Sequence, residues 1–364
     1  MNLRIPGPIP VPDDILESMS HPMINHRGPE YKELLIRNTD RLKQVFGTKN
    51  DVYILTSSGT GAMEAAVVNV LSPGDKLLNA NVGEFGERFG IIAERYGADV
   101  TTLDFPHGEA VDIDQLREAL KKDPEIKVVS VTHNETSTGV TNPLKEIAAV
   151  VKGEFGKLIL VDGISSVCSL PLETDAWGLD VVATASQKGW MMPPGFAFLS
   201  FSEDAWKAYE QSTMPKFYFD MGMYKHYYEI GQPPYTPAVS LMFAMDLALE
   251  QIVAEGMGSV FERHASIGRF TRAGVKKLGL SLLAKEQFAS DTVTAVRIPQ
   301  EVEAAKLMSK MRVEHDVVLA GGQGPLSGKI FRIGHMGRVT EGEIQDVIES
   351  LDVVLGELGF KKPR

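Results

Sequence analysis

From residue 51 to about residue 201 the chain alternates short strand-like runs with longer helical ones, and few folds accept that rhythm. The short runs fall at 52–55, 76–80, 99–103, 128–132, 158–161, 181–185 and 196–201. Helical patterns occupy 62–71, 87–95, 113–121 and 144–152; Ser72-Pro73-Gly74 stops the first and Gly97 the second. Short apolar strands that alternate with helices predict an α/β fold, a mostly parallel sheet covered by helices on both faces. In such sheets, sites form at the carboxyl ends of the strands. The rhythm changes after Pro237. Helices at 238–255 and 259–278 lead into strands at 292–298 and 330–333 and helices at 302–312 and 341–358, which predicts a smaller α+β domain. Residues 1–30 are rich in proline and read as an extended arm with turns. The expected division is an N-terminal arm (1–20), a large domain (21–255) and a small C-terminal domain (256–364).

Three strand ends carry residues with chemical potential. Lys188 follows the run 181–185 and opens the loop Gly189-Trp190-Met191-Met192-Pro193-Pro194-Gly195, which can continue neither strand nor helix. A lysine desolvated there loses its proton readily and becomes a nucleophile toward carbonyls; the plainer alternative is a surface lysine at a strand end. Asp162 closes the run 158–161. It either caps the Gly163-Ile164-Ser165-Ser166 turn or faces a cofactor. Thr56-Ser57-Ser58-Gly59-Thr60-Gly61 joins a strand to a helix and offers free N–H groups at the positive helix end, which suits phosphate. It is neither a Walker loop nor G-x-G-x-x-G, so a nicotinamide-dependent oxidoreductase is disfavoured. Glu135-Thr136-Ser137-Thr138-Gly139 adds hydroxyls at another strand end, Phe85 follows Gly83-Glu84, and Arg332 lies between apolar neighbours in a C-terminal strand. Arginine suits bidentate carboxylate recognition.

A formal net charge of -11 argues against nucleic acid or an anionic membrane surface as the main partner. No run approaches the roughly 20 apolar residues of a membrane helix, and the N-terminus lacks the apolar stretch of a signal peptide. The single cysteine, Cys168, excludes an internal disulfide. The expected compartment is the cytoplasm.

In order and spacing, Pro6-Gly7-Pro8, residues 56–64, residues 132–139, Val161-Asp162-Gly163, Ser186-Gln187-Lys188, Tyr235-Thr236-Pro237 and Phe331-Arg332-Ile333-Gly334 resemble the class V aminotransferases, across nearly the whole chain. The branch it most resembles contains alanine–glyoxylate, serine–glyoxylate and serine–pyruvate aminotransferases and proteins labelled as a soluble hydrogenase small subunit. The resemblance implies fold type I and pyridoxal 5′-phosphate (PLP) as cofactor. It implies that Lys188 holds PLP covalently and that Asp162 pairs with the pyridine nitrogen. Phe85 would lie over the ring, where relatives often have tryptophan. Ser58, Gly59, Thr60 and Gln187 would hold the phosphate, and Thr136 would lie near the ring oxygen. Thr236 would reach the phosphate of a neighbouring subunit, so a homodimer with shared sites is implied. Two positions depart from the pattern: Thr60 stands where many relatives have histidine, and Pro233 where some have a phosphate-binding tyrosine, with Tyr235 close by. Arg332 would bind the substrate carboxylate, and the backbone at Gly7 would close the site.

The implied reaction is amino transfer from a small neutral amino acid, alanine or serine, to a 2-oxo acid such as glyoxylate or pyruvate. An acidic donor, aspartate or glutamate, is the alternative, with Arg27 in Asn25-His26-Arg27-Gly28 as the reader of its distal acid. A desulfurase requires a cysteine on a mobile loop, which Cys168 does not resemble. A non-catalytic partner subunit sits poorly with intact Lys188, Asp162 and Arg332.

Overall fold

The computed structural model describes residues 1–362. Its strands, in chain order, are β1 (Asn2–Arg4), β2 (Val52–Thr56), β3 (Lys76–Asn81), β4 (Asp99–Asp104), β5 (Val128–Thr132), β6 (Asn134–Glu135), β7 (Val140–Thr141), β8 (Leu158–Asp162), β9 (Val181–Ala185), β10 (Phe196–Phe201), β11 (Val293–Arg297), β12 (Val317–Gly321) and β13 (Ile330–Gly334). Seven of them form one sheet in the order β2-β10-β9-β8-β5-β3-β4. Strand β10 runs opposite to the other six. Successive residues of a strand face opposite sides of the sheet. Val129, Val131, Ile159, Val161 and Val182 accordingly join one apolar cluster, while Val128, Leu160, Val181 and Ala183 join another on the opposite face. Both faces being covered is why these strands read as unbroken apolar runs.

The first helices are α1 (Asp13–Ser18), α2 (Pro29–Phe46), α3 (Gly59–Val70) and α4 (Glu84–Arg95). Both α3 and α4 begin earlier than the sequence predicts, at Gly59 and Glu84 rather than at 62 and 87. The glycines at those starts mask the boundary. Gly59 is required by packing, since a Cβ there would lie 2.6 Å from Ile164 Cδ1. The predicted helix at 144–152 is α-helical only over Leu144–Ala148 and continues as a π-helix over Ala149–Glu154. Two helices, Glu203–Gln211 and Met221–Glu229, fill the stretch after β10, where none was expected.

The arm requires a larger correction. Its first residues form β1, which pairs in parallel with β12, itself an unexpected strand, at the edge of a second sheet ordered β1-β12-β13-β11. Asn2 N–H donates to Asp316 O at 2.8 Å, and buried Arg4 pairs with Glu343 at 2.5 Å. The chain then runs back toward the large sheet, where Ile9 N–H donates to Gln187 O at 3.2 Å. It passes so close to β13 that a Cβ on Gly334 would lie 2.1 Å from Ile5 O, which explains the glycine. The long helix Met257–Lys277 spans the two cores: Val260 belongs to the large cluster, Ile267 and Val275 to that of the second sheet. Among the described residues no helix is long and apolar enough to cross a membrane.

Deleting residues 1–4 removes the β1–β12 ladder and the Arg4–Glu343 pair. At about 1 kcal/mol per net hydrogen bond, the loss should be about 2–3 kcal/mol. A urea midpoint unchanged from that of the full chain would show that β1 contributes nothing to the second sheet.

Candidate active site

Lys188 leaves the carboxyl end of β9 through Ser186 and Gln187, and its side chain points into a cavity of about 300 Å³. It is 8% exposed, and its Nζ donates to Pro6 O at 2.7 Å. No acidic side chain pairs with it directly among the described residues. Burial therefore outweighs the more distant attraction of Asp162, and with Arg332 opposing, the ammonium pKa falls to about 8. Gly7 lies directly over the amine. A Cβ there would sit 2.7 Å from Nζ, and its φ of 137° favours glycine.

Asp162 ends β8, beside Thr132 of β5 and Ala183 of β9. Its Oδ1 accepts from Ile164 N–H at 2.9 Å, and Oδ2 has only the Thr132 hydroxyl at 3.3 Å. Burial with so few donors pushes the carboxyl up to about 7. A cationic ring nitrogen would supply the counter-charge that this carboxyl lacks. Asp162 bonds the following turn, as one of the two sequence alternatives expected, and it also lines the cavity.

Ser58, Gly59 and Thr60 line the same cavity at the start of α3. Helix α3 has no side-chain cap, and the Gly59, Thr60 and Gly61 N–H groups have no protein acceptor among the described residues. Unused donors at a helix start fit a phosphate. Gln187 also lines the cavity, and its buried Oε1 has no partner among the described residues. A strand-end lysine, a carboxylate short of cationic company and an uncapped helix start facing one cavity are a donor set that fits PLP.

Phe85, in the first turn of α4, and Thr136, in the β6–β7 hairpin, reach this cavity as well. Arg332, on β13, is buried just behind it. Its Nε and Nη2 donate to Gly321 O at 3.0 and 2.7 Å, and its Nη1 donates to Thr136 O and Gln323 Oε1, both at 3.1 Å. These partners are all neutral, and burial lowers the guanidinium pKa.

Three expected site residues lie elsewhere. Arg27 donates to Gln232 Oε1 at 2.8 Å and stands over the Tyr227 ring. Tyr235 donates to Phe217 O at 2.8 Å and stacks on Tyr218. With Thr236 it lines a separate space of about 30 Å³, room for a water or two. Within one chain, then, Arg27, Tyr235 and Thr236 do not meet Lys188. Conversely, the cavity includes residues that sequence reasoning passed over: Pro8, Asn134, Ser165, Pro194 and Arg88. Arg88 was discoverable, because it follows Phe85 by three residues on one helix face and its guanidinium stands over that ring, 4.9 Å from the centroid. Asn134 donates to Ser165 Oγ at 2.7 Å and to Thr292 Oγ1 at 2.8 Å, pairings no local pattern announces.

A buried, easily deprotonated lysine at a strand end of a doubly covered sheet, facing an anion-binding helix start, defines an enzyme of PLP type. Residues 16–339 match the family described as aminotransferase class-V, and the chain belongs to that family. It is therefore a PLP-dependent aminotransferase. It is 43% identical over 360 residues to the soluble hydrogenase small subunit of a Synechococcus species, covering 98% of this chain and 94% of that one. To the L-aspartate–glyoxylate aminotransferase of Paracoccus denitrificans it is 38% identical, over 98% of this chain and 91% of the relative. The crystal structure of alanine–glyoxylate aminotransferase from Nostoc superposes with a TM-score of 0.93 at 32% identity, covering 97% and 94% of the two chains. Cys168 is buried, bonded through Sγ to Gly189 O and pushed up to about 12, the opposite of a reactive loop thiol.

Because the Lys188 amine attacks a carbonyl only when neutral, PLP capture by the apoprotein should rise with pH through about 8 and level off above it. An ordinary lysine would need about pH 10.4. Borohydride fixation at a series of pH values measures the midpoint. Fixation that persists undiminished in Lys188→Ala, or a midpoint above about 9.5, would contradict the assignment.

Proposed function

We propose that this aminotransferase takes the amino group of alanine or serine and delivers it to a 2-oxo acid such as glyoxylate or pyruvate, in two half-reactions that use one site in turn. The observation that carries the reading is the amine of Lys188, unpaired by any acid and held in the cavity with Asp162 and the α3 start. When bound, PLP supplies an electron sink for the charge left at Cα as its proton departs. Lys188 would hold the cofactor and, once released from it, take the α-proton and return it; an amine of lowered pKa is suited to act as base near neutrality. Asp162 would keep the pyridine nitrogen protonated. The free N–H groups of Gly59 and Thr60, with the Ser58 and Thr60 hydroxyls and Gln187, would hold the phosphate, and Thr136 would lie beside the ring oxygen. Phe85 would cover the ring. Arg332 would exchange its carbonyl partners for the substrate carboxylate, which offers the charge they lack. Pro6, Gly7 and Pro8 would keep water from the amine.

The position of Arg27 supports the small neutral donor, since in this chain it is engaged by Gln232 and Tyr227. One observation favours the acidic donor instead: Arg88 is a cation in the cavity with no acidic partner among the described residues. Rapid mixing of the holoenzyme with alanine, serine, aspartate and glutamate separates the two, with the loss of the cofactor's absorption band followed in each case. Alanine or serine should react at least about tenfold faster than either acid, a difference of ~1.4 kcal/mol. The reverse order would transfer the assignment to the acidic donor, and its selective loss in Arg88→Ala or in Arg27→Ala would name the cation that reads the distal acid.

Sites shared between two subunits are part of the same proposal. Thr236, Tyr235 and Arg27 gather on one surface with exposed Phe217 and Ile230, 78% and 47% accessible. Exposed apolar groups beside polar ones on one surface suit a second copy. Sedimentation at low concentration should give a dimer. A fully active monomer would overturn this part of the proposal.

A further inference from the structure

Helix α4 carries Phe85 into the cavity, yet its N-cap is Gly83, which has no side chain to cap it. A helix start leaves N–H groups without intrahelical acceptors. Here a distant hairpin receives three of them. Phe85 N–H and Gly86 N–H donate to Glu135 Oε2 at 3.0 and 3.1 Å, and Glu84 N–H donates to Ser137 Oγ at 3.1 Å. The other carboxylate oxygen, Oε1, accepts from Ser137 N–H at 3.0 Å and from the Ser137 hydroxyl at 2.6 Å. Glu135 is fully buried. Gly83 is glycine because a Cβ there would fall 2.5 Å from Ser137 Oγ and 2.7 Å from Glu135 Cγ. The intervening residue, Thr136, lines the cavity and accepts from Arg332 Nη1 through its carbonyl oxygen at 3.1 Å.

We propose that Glu135 is a positioning residue that sets the ring of Phe85 and the guanidinium of Arg332 in one frame. It holds Phe85 by capping the helix that bears it, and Arg332 through the carbonyl of the next residue in its own hairpin. Burial raises the Glu135 carboxyl above its usual range, while the four donors on its oxygens and the positive end of the helix favour its charged form. The inference rests on the reading of the site in which Phe85 covers the cofactor and Arg332 meets the substrate carboxylate.

Glu135→Gln keeps the size of the side chain but turns an NH2 toward one of its two pairs of donors. Loss of charge-assisted bonds on this scale should weaken PLP binding to the apoprotein by about tenfold. The same variant should raise KM for amino donor and oxo acceptor alike, since both present the same carboxylate, with a smaller effect on kcat. The visible circular dichroism of bound PLP should fall as the ring environment loosens. Ser137→Ala, which leaves the carboxylate in place, should show the same pattern more weakly and serves if Glu135→Gln does not fold. Two controls separate this inference from the site reading. Phe85→Ala should weaken PLP binding, and Arg332→Gln should raise KM. If either control fails, the site reading is wrong. If both behave as stated while Glu135→Gln, or Ser137→Ala in its place, leaves the PLP dissociation constant, the dichroism and both KM values within about twofold of wild type, Glu135 is a helix cap alone, whatever happens to the melting temperature.

Discussion

A primary amine buried against a peptide carbonyl is the constraint on which this structure turns. Removing an ammonium from water without an acid beside it is costly, and the protein relieves the cost by making the proton easy to lose. That solution requires a dry, rigid surround. The loop after Lys188 provides it: Trp190, Met191 and Met192 are buried, and Met191 holds a φ of 58°, an uncommon conformation for a residue with a side chain. Gly189 is equally constrained, since a Cβ there would lie 2.1 Å from Ser169 Oγ. Neither β9 nor the loop has freedom to carry the amine elsewhere.

The charges around the amine follow from the same constraint. Asp162 and Glu135 are buried carboxyls, Lys188 is a buried amine and Arg332 a buried guanidinium, with no direct ion pair between the acids and the bases. Each is met instead by neutral donors or acceptors: Pro6 O for Lys188, Gly321 O and Thr136 O for Arg332, Ile164 N–H for Asp162, and main-chain N–H groups for Glu135. Direct pairing would have tied the charge of the lysine and of the arginine to a partner inside the chain. Neutral partners hold each group in place and leave its charge, or its proton, available to a ligand that carries the opposite sign.

What the sequence made legible follows the same logic of locality. The inner strands β5, β8 and β9 were readable because burial on both faces forces unbroken apolar runs, and the ends of β8 and β9 stood out because Asp162 and Lys188 interrupt those runs. Strand β1 was not readable. Its three residues, Asn2, Leu3 and Arg4, owe their conformation to Val317, Val318 and Leu319, far along the chain. The start of α4 was hidden because its capping groups lie on Glu135 and Ser137, some fifty residues downstream. Glu135 read as one polar residue among hydroxyls in a loop, and only the folded chain brings its carboxylate to Phe85. Arg27, Tyr235 and Thr236 carried a signal in resemblance, but a single chain gives them other partners.

The second sheet gives these local devices a common mount. Arg332 sits on β13, and its main acceptor, Gly321, ends the neighbouring β12. On the other edge of β12, β1 leads within two residues to Pro6, whose carbonyl holds the Lys188 amine. The strap from β1 also presses against Gly334, two residues beyond Arg332 on the same strand. Arg332 and the strap whose carbonyl meets the Lys188 amine are therefore built on one small sheet, and they face a large sheet that holds Lys188 and Asp162.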